Sequence, residues 1–274
     1  MSMSKQIEDY FKANQALWDA KTPVHIESEF YDIPGFLAGN STLREVELNE
    51  VGEVRGKTLL HLQCHFGLDT LSWAREGAIV TGVDFSQKAI AKAREMASEV
   101  NIEAEFVEAN IYDLPEILLD KKFDIVFTSY GTIGWLPDLD RWAHVINHFL
   151  SPGGTFYIVD FHPFIWMYDY DLQKIEYPYF NAGVIAEENE GTYADPNAPI
   201  KLAEYGWNHP SSEVINSLIN QGLEIEFLNE FPYTTWNCFK NLKEIGKHKY
   251  VFKHLGHKIP YMFSIRARKG NGIL

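Results

Sequence analysis

The feature that most constrains the fold of this chain is the alternation of strand-like and helix-like segments between residues 58 and 160. Five short apolar or β-rich runs are separated by stretches in which apolar residues recur at helical spacing. The runs cover residues 58–63, 78–83, 104–107, 123–129 and 155–160. Because strands that alternate with helices of this length are joined by crossover connections, they run parallel. The pattern predicts an α/β fold whose ligands bind beyond the carboxyl ends of the strands.

The remaining segments flank this core, and we predict one domain over residues 1–274 with its central core at 51–160. Residues 1 to about 50 have helix-like apolar spacing and form a predicted N-terminal cap. Residues 161–209 are rich in aromatic side chains, and we predict that they form small strands and a lid, because so long a structureless loop is uncommon. Residues 210–274 complete the domain. The further predicted elements are helices at 67–76, 87–99 with Ser86 as N-cap, 139–150 and 211–221, and strands at 224–231 and 261–268.

Composition argues against several classes of partner. The chain of 274 residues carries 24 Lys+Arg against 38 Asp+Glu, a formal net charge of -14. A nucleic-acid backbone requires a basic face, so we expect no nucleic-acid partner and interpret the Lys-rich segment 240–253 as solvated. Two cysteines make no disulfide framework, the N-terminus lacks an apolar signal core, and no apolar run is long enough for a membrane span. We predict a cytoplasmic monomer or homodimer with no membrane partner and no metal site, whose many aromatic residues line a small-molecule pocket.

A candidate nucleotide site follows the first two strands. The first strand runs into Gln63-Cys64-His65-Phe66-Gly67, where nucleotide-binding α/β proteins place a glycine loop. Only Gly67 remains of the glycines that let a backbone approach a pyrophosphate, so a cofactor without phosphate in the turn fits better. Asp84 ends the second strand about 20 residues later, a position suited to hydrogen bonds with ribose hydroxyls. The alternative for Asp84 is an N-cap, a role that Ser86 already fills.

The segment LLHLQCHFGLDTLSWAREGAIVTGVDFSQKAI resembles the opening of class I S-adenosylmethionine-dependent methyltransferases. VEANIYDLP, FDIVFTSYGTIGWLPDL and LSPGGTFYIVD resemble the family's third-, fourth- and fifth-strand motifs, so the resemblance covers about residues 55–160. It implies a Rossmann-like seven-stranded sheet, mostly parallel with an antiparallel last strand, and helices on both faces. It also implies S-adenosylmethionine as cofactor and methyl transfer to a small-molecule acceptor.

The resemblance assigns roles to individual residues. Two of them depart from the family pattern: His61 replaces the usual acidic residue of the first strand, and Asn110 replaces the usual Asp at the adenine edge. A core histidine without a ligand is the alternative for His61. The implied cofactor contacts are His61, Gln63, Cys64 and Gly67 at the methionine portion, Asp84 at the ribose, Phe85, Asn110 and Ile111 at adenine, and Ser129 and Tyr130 near the sulfonium.

Methyl transfer is an in-line displacement in which alignment and exclusion of water are the main tasks, so no acid–base pair is required. The catalytic residue is therefore left open, with His162, Tyr130 and Asp160 as candidates beside His25 and His209 in the flanking regions. Asp160 has an alternative role as a cap of its strand end. The residues predicted to enclose the acceptor are Trp18, Tyr31, Trp135, His162 and Trp166.

Three other functions compete with a small-molecule methyltransferase. The altered loop leaves open a non-catalytic regulatory protein that binds the cofactor. A NAD(P)-dependent oxidoreductase is opposed by the missing glycines and by the lack of an evident Tyr-x-x-x-Lys pair. A nucleic-acid methyltransferase is opposed by the acidic charge.

Overall fold

The structure is a computed structural model that describes residues 5–169 and 172–271. The helices are α1 Lys5–Glu27, α2 Ile33–Leu37, α3 Glu45–Val51, α4 Leu68–Arg75, α5 Gln87–Glu99, α6 Leu114–Ile117, α7 Leu139–Phe149 and α8 Ser211–Asn220. The strands are β1 Thr58–Leu62, β2 Ile79–Asp84, β3 Glu105–Glu108, β4 Phe123–Ser129, β5 Leu150–Phe161, β6 Ile185–Glu190, β7 Lys201–Gly206, β8 Leu223–Phe231, β9 Leu242–Gly246, β10 Lys249–Phe252 and β11 Met262–Lys269.

Seven of these strands form one sheet in the order β3-β2-β1-β4-β5-β11-β8. The pairs β1–β2, β2–β3 and β4–β5 are parallel, whereas β11 is antiparallel to both β5 and β8. This arrangement confirms the predicted α/β class and the antiparallel last strand. The N-terminal cap is helical as predicted, and Ser86 caps α5 by accepting a hydrogen bond from the backbone N–H of Ala89.

The chain falls into two compact units, which are described separately. The first unit contains the chain through Leu43, Glu53–Leu119 and Val184–Gly206, and therefore holds β1–β3 and the β6–β7 hairpin. The second contains Arg44–Gly52, Asp120–Gly183 and the chain from Trp207 onward. In the first unit, β1 pairs with β2 from Thr58↔Ile79 to Leu62↔Val83. That register brings the loop after β1 and the residue that ends β2 to the same edge of the sheet.

Two segments differ from or add to the prediction, and a third agrees with it. The helix predicted to reach residue 150 ends at Phe149, and the strand predicted from 155 begins at Leu150, because the fully buried Leu150 pairs with Phe123 before the register shifts. The small strands predicted within 161–209 are found as the antiparallel pair β6–β7. The Lys-rich segment forms a hairpin, β9–β10, that was not predicted. Among the described helices, none is long and apolar enough to cross a membrane.

Candidate functional site

The carboxylate of Asp84 joins the loop after β1 to the start of α5. One oxygen accepts a hydrogen bond from the backbone N–H of His65 at 2.8 Å, and the other accepts from the backbone N–H of Ser86 at 2.9 Å. The side chain is 7% exposed. Burial is the main cause that raises its pKa to about 6, against the lowering effect of these hydrogen bonds. Because each carboxylate oxygen has two lone pairs, Asp84 keeps acceptor capacity for a ligand.

The loop between β1 and α4 is tightly wound. Gln63 and His65 have φ values of 56° and 52°, and Gly67 has φ 81°. A Cβ atom at Gly67 would lie 2.7 Å from the ring of Phe106, so the start of α4 packs against β3 where only a glycine fits. The two non-glycine residues in left-handed conformations are strained, and such strain is most common at functional sites.

Two predicted contacts of the methionine portion are packed into the first unit. His61 is buried on β1, and its Nδ1 lies 2.8 Å from the hydroxyl of Thr70 on α4. Burial lowers the pKa of His61 to about 4, so the ring is neutral at pH 7. Cys64 is buried with its Sγ against Gly82 of β2, and burial raises its thiol pKa well above the usual range. This geometry favours a core role for both residues.

The predicted adenine contacts extend from the ends of β2 and β3. The backbone N–H of Ala109 donates to the carbonyl of Asp84 at 2.9 Å. The side-chain oxygen of Asn110 accepts from the backbone N–H of Tyr112 at 3.1 Å and so caps a short 3-10 turn, Ile111–Asp113, in which Ile111 is buried. Phe85 follows Asp84 and is partly buried.

Helix α1 is fixed to the same edge of the sheet by polar contacts. The Gln15 side chain donates to the carbonyl of Phe85 at 2.6 Å. The Asp19 carboxylate accepts from the Ser86 hydroxyl at 2.6 Å and from the backbone N–H of Lys88 at 3.2 Å. The helix is therefore held beside the turn that follows β2, which apolar spacing alone did not predict.

A cluster of rings lies between α1 and the loop after β1 within the first unit. We call it the histidine–tyrosine cluster, and its members are Trp18, His25, Tyr31, His65 and Tyr193. The His25 ring centroid is 5.3 Å from those of His65 and Tyr31 and 4.8 Å from that of Tyr193. The Trp18 centroid is 5.3 Å from that of His65, and the hydroxyls of Tyr31 and Tyr193 are 2.5 Å apart. The predicted acceptor residues Trp18 and Tyr31 thus share one cluster with two histidines. Tyr193, on the loop between β6 and β7, was not predicted.

In the second unit, Asp160 organises the loop after β4. Its carboxylate accepts hydrogen bonds from the backbone N–H groups of Gly131, Thr132 and Ile133, and from its neighbour Phe161. The side chain is 1% exposed. Four backbone donors on one buried carboxylate favour the alternative in which Asp160 caps the strand end and fixes this loop.

Tyr130 lies in that loop, directly after Ser129, which ends β4. Its φ of 43° is left-handed, and its backbone N–H donates to the carbonyl of Val159 at 2.8 Å. The phenol donates to the carboxylate of Glu47 on α3 at 2.8 Å and accepts from the hydroxyl of Thr235 at 3.2 Å. Burial and the adjacent Glu47 charge raise the pKa of Tyr130 well above its usual range, so the phenol stays protonated. Glu47 and Thr235 were missed because they are distant in sequence and carry no local motif.

The other predicted residues of the second unit have local partners. His162 accepts a hydrogen bond at Nδ1 from the backbone N–H of Phe164 at 3.1 Å, and its Nε2 lies 2.9 Å from the Glu230 carboxylate. With Nδ1 accepting, Nε2 carries the proton and donates a hydrogen bond to the Glu230 carboxylate. The Trp135 indole donates to the carbonyl of Gly131 at 2.9 Å, and Trp166 packs edge-on against Phe161. His209 has its Nε2 2.7 Å from the carbonyl of Leu136.

Among residues 5–169 and 172–271, no group of three or more His, Cys, Asp or Glu side chains is arranged to hold a metal ion.

Comparisons with known proteins relate part of this chain to a family. Residues 60–158 match the family model described as a methyltransferase domain. The chain is 30% identical over 135 residues to an uncharacterized methyltransferase of Synechocystis sp., a match that covers 48% of this chain and 60% of that protein. It is 29% identical over 133 residues to a ubiquinone biosynthesis O-methyltransferase of Photorhabdus laumondii, covering 47% of this chain and 55% of that protein. The match thus spans little more than half the length of these two relatives.

The fold has solved counterparts. An S-adenosylmethionine-dependent methyltransferase structure from Methanosarcina mazei matches with a TM-score of 0.55 at 20% sequence identity, over 83% of this chain and 98% of that one. At this identity the likeness shows a shared fold.

Proposed function

We propose that this chain is a class I S-adenosylmethionine-dependent methyltransferase and that it transfers a methyl group to a small-molecule acceptor. The cofactor supplies a methyl group on a sulfonium, which is a good leaving group. The observation that carries the proposal is the placement of Asp84, whose buried carboxylate ends β2 beside the loop after β1. This is the position at which an α/β sheet presents an acidic side chain to a ribose.

The described residues fit the cofactor chemically. Asp84 has acceptor capacity beyond its two backbone bonds, as two ribose hydroxyl donors require. The loop after β1 has side chains where a pyrophosphate would need glycines, which suits a cofactor without phosphate in this turn. Both ring nitrogens of His25 and the Nε2 atom of His65 are buried without hydrogen-bond partners among the described residues, as expected where a polar ligand binds.

The small-molecule acceptor is proposed on two grounds. One is the relative whose name is ubiquinone biosynthesis O-methyltransferase, an enzyme of small-molecule metabolism. The other is the formal net charge of -14, which disfavours a nucleic-acid substrate.

We assign the candidate catalytic residues different supporting roles. Asp160 positions the loop after β4 through its backbone hydrogen bonds, and Tyr130 acts as a protonated hydrogen-bond donor held by Glu47. The two ring nitrogens of His162 are engaged by Phe164 and Glu230, which leaves no lone pair for a substrate proton. Alignment of an already nucleophilic acceptor therefore carries the chemistry, without a general base from this set. Ser129 beside the sulfonium remains a prediction from the resemblance.

The test is release of labelled methyl from S-adenosylmethionine to a panel of phenols, quinols, amines and thiols, with bulk RNA as a further arm. We expect product from at least one small molecule and a large loss of turnover in Asp84→Ala. Methylation of RNA alone would contradict the small-molecule proposal. Cofactor binding without transfer to any member of a broad panel would favour the non-catalytic regulatory alternative.

A further inference from the structure

The histidine–tyrosine cluster contains buried polar atoms that its own contacts do not explain. His25 is 0% exposed, and neither of its ring nitrogens has a hydrogen-bond partner among residues 5–169 and 172–271. The Nε2 atom of His65 is also buried without a partner in the same part of the chain. Buried side-chain nitrogens are satisfied in the great majority of cases, and each exception calls for an explanation. Three such atoms on two adjacent rings indicate a ligand.

The location of the cluster indicates which part of a ligand binds there. His65 belongs to the loop after β1, and its backbone N–H binds Asp84, the proposed ribose ligand. Its imidazole lies beside that of His25, at a ring-centroid distance of 5.3 Å. The group that binds here is therefore a near neighbour of the ribose. In S-adenosylmethionine, the group that continues beyond the ribose and the sulfur is the amino-acid end.

The polar atoms of the cluster are suited to an anion. The Trp18 indole and the N–H groups of the two imidazoles are hydrogen-bond donors, and none of them carries negative charge. In the bonded pair of Tyr31 and Tyr193, one phenol donates to the other. Burial is the main cause that lowers the pKa of both histidines, so each ring is neutral and has one N–H. The adjacent cation is Lys21, one turn before His25 on α1, which pairs with Glu204 at 3.2 Å.

We propose that His25 and His65 bind the carboxylate of the amino-acid end of S-adenosylmethionine through their ring N–H groups. This inference rests on the proposed function. Gln63 and His65 occupy positions where glycines would let backbone N–H groups approach the cofactor. In this chain, the imidazole N–H groups of His25 and His65 donate to the cofactor instead. The N-terminal cap then contributes to cofactor binding directly, through a residue that no loop motif contains.

The experiment compares two ligands that share adenosine and the thioether: S-adenosylhomocysteine, which has the amino-acid end, and 5′-methylthioadenosine, which lacks it. Both are titrated calorimetrically into the full chain and into His25→Phe. Because His25→Phe removes a hydrogen bond to a charged carboxylate, it should weaken S-adenosylhomocysteine binding by about 10- to 150-fold. Binding of 5′-methylthioadenosine is expected to stay unchanged. His144→Phe, which removes an exposed imidazole from α7, is the matched control and should bind both ligands as the unmodified chain does.

A second variant distinguishes a lost hydrogen bond from a folding defect. His25→Asn keeps a side-chain N–H donor, so it should bind S-adenosylhomocysteine more tightly than His25→Phe does. Equal weakening of both ligands, or no weakening of either, would overturn the carboxylate assignment and indicate a structural or water-binding histidine pair. If the unmodified chain binds 5′-methylthioadenosine and S-adenosylhomocysteine equally, the carboxylate assignment fails while the proposed cofactor site stands. If the unmodified chain binds neither, the proposed function fails and the assignment with it.

Discussion

The backbone N–H of His65 donates a 2.8 Å hydrogen bond to the carboxylate of Asp84. The residue predicted to hold the ribose therefore also fixes the loop predicted to surround the methionine portion. Asp84→Ala removes the ribose acceptor and should weaken S-adenosylhomocysteine binding by about 10- to 150-fold in calorimetry. It should also weaken 5′-methylthioadenosine, because both ligands contain the ribose.

Asp84→Asn is the matched control for this change. It keeps one acceptor oxygen and nearly the same shape, so it should retain more affinity than Asp84→Ala. Thermal unfolding of each variant separates a lost contact from a lost fold. Unchanged affinity in a folded Asp84→Ala variant would rule out the ribose assignment.

The start of α4 requires glycine for two reasons, and a pair of variants separates them. Gly67 and Gly56 have φ values of 81° and 73°, but an added Cβ meets the Phe106 ring at 2.7 Å only at Gly67 and meets nothing within 4 Å at Gly56. Gly56→Ala should cost about 1–2 kcal/mol from left-handed strain alone. Gly67→Ala should cost about 1–3 kcal/mol more from the added clash. Equal losses of unfolding free energy in urea titrations would contradict this packing.

Buried neutral histidines make stability sensitive to acid. The pKa of His25 is lowered to about 3 by burial and by Lys21, against an ordinary value of 6.5. Between these two values the unfolded chain binds more protons, so the free energy of unfolding falls as pH decreases from about 6.5 toward 3. Between pH 7.5 and 5.5 His25 alone should account for about 1.4 kcal/mol of that loss. His25→Phe should show a correspondingly shallower loss in urea titrations at the two pH values, and an unchanged slope would contradict the burial of a neutral ring.

Replacing Asp160 tests whether this carboxylate stabilises the fold or acts as a general base. Its four backbone hydrogen bonds predict that Asp160→Ala lowers the free energy of unfolding by about 3 kcal/mol or more, since buried donors are left unpaired. The exposed Asp120→Asn is a control that should change stability by less than about 0.5 kcal/mol. Full stability of Asp160→Ala, with loss of turnover alone, would instead support a role as general base.

Much of the fold follows from local sequence patterns. Apolar runs and helical spacing predict β1 to β5 within a few residues, and the turn residues around Ser86 predict where α5 begins. The boundary at Leu150 was misplaced because Pro152 and Gly153 signal a break, whereas pairing of Leu150 with Phe123 extends the strand across them. Pairing between distant strands outweighed the local turn signal there.

The site was less accessible to sequence reasoning. Asp84 and the loop after β1 are found because strand order and spacing define them. The contact of Glu47 with Tyr130 and that of Tyr193 with His25 join residues more than 80 positions apart, and no local pattern encodes such pairs. The sequence presents His25 only as a possible base and His65 only as a replacement for a glycine, because their unpartnered nitrogens are visible only in three dimensions.

Calorimetric titration with S-adenosylhomocysteine, with NAD as the control ligand, tests whether the first unit of this chain binds S-adenosylmethionine. We predict micromolar binding of S-adenosylhomocysteine and no measurable binding of NAD, whose pyrophosphate does not fit the glycine-poor loop. Binding of NAD alone, or of neither ligand, would contradict the account and show that the fold has been retained without the cofactor site.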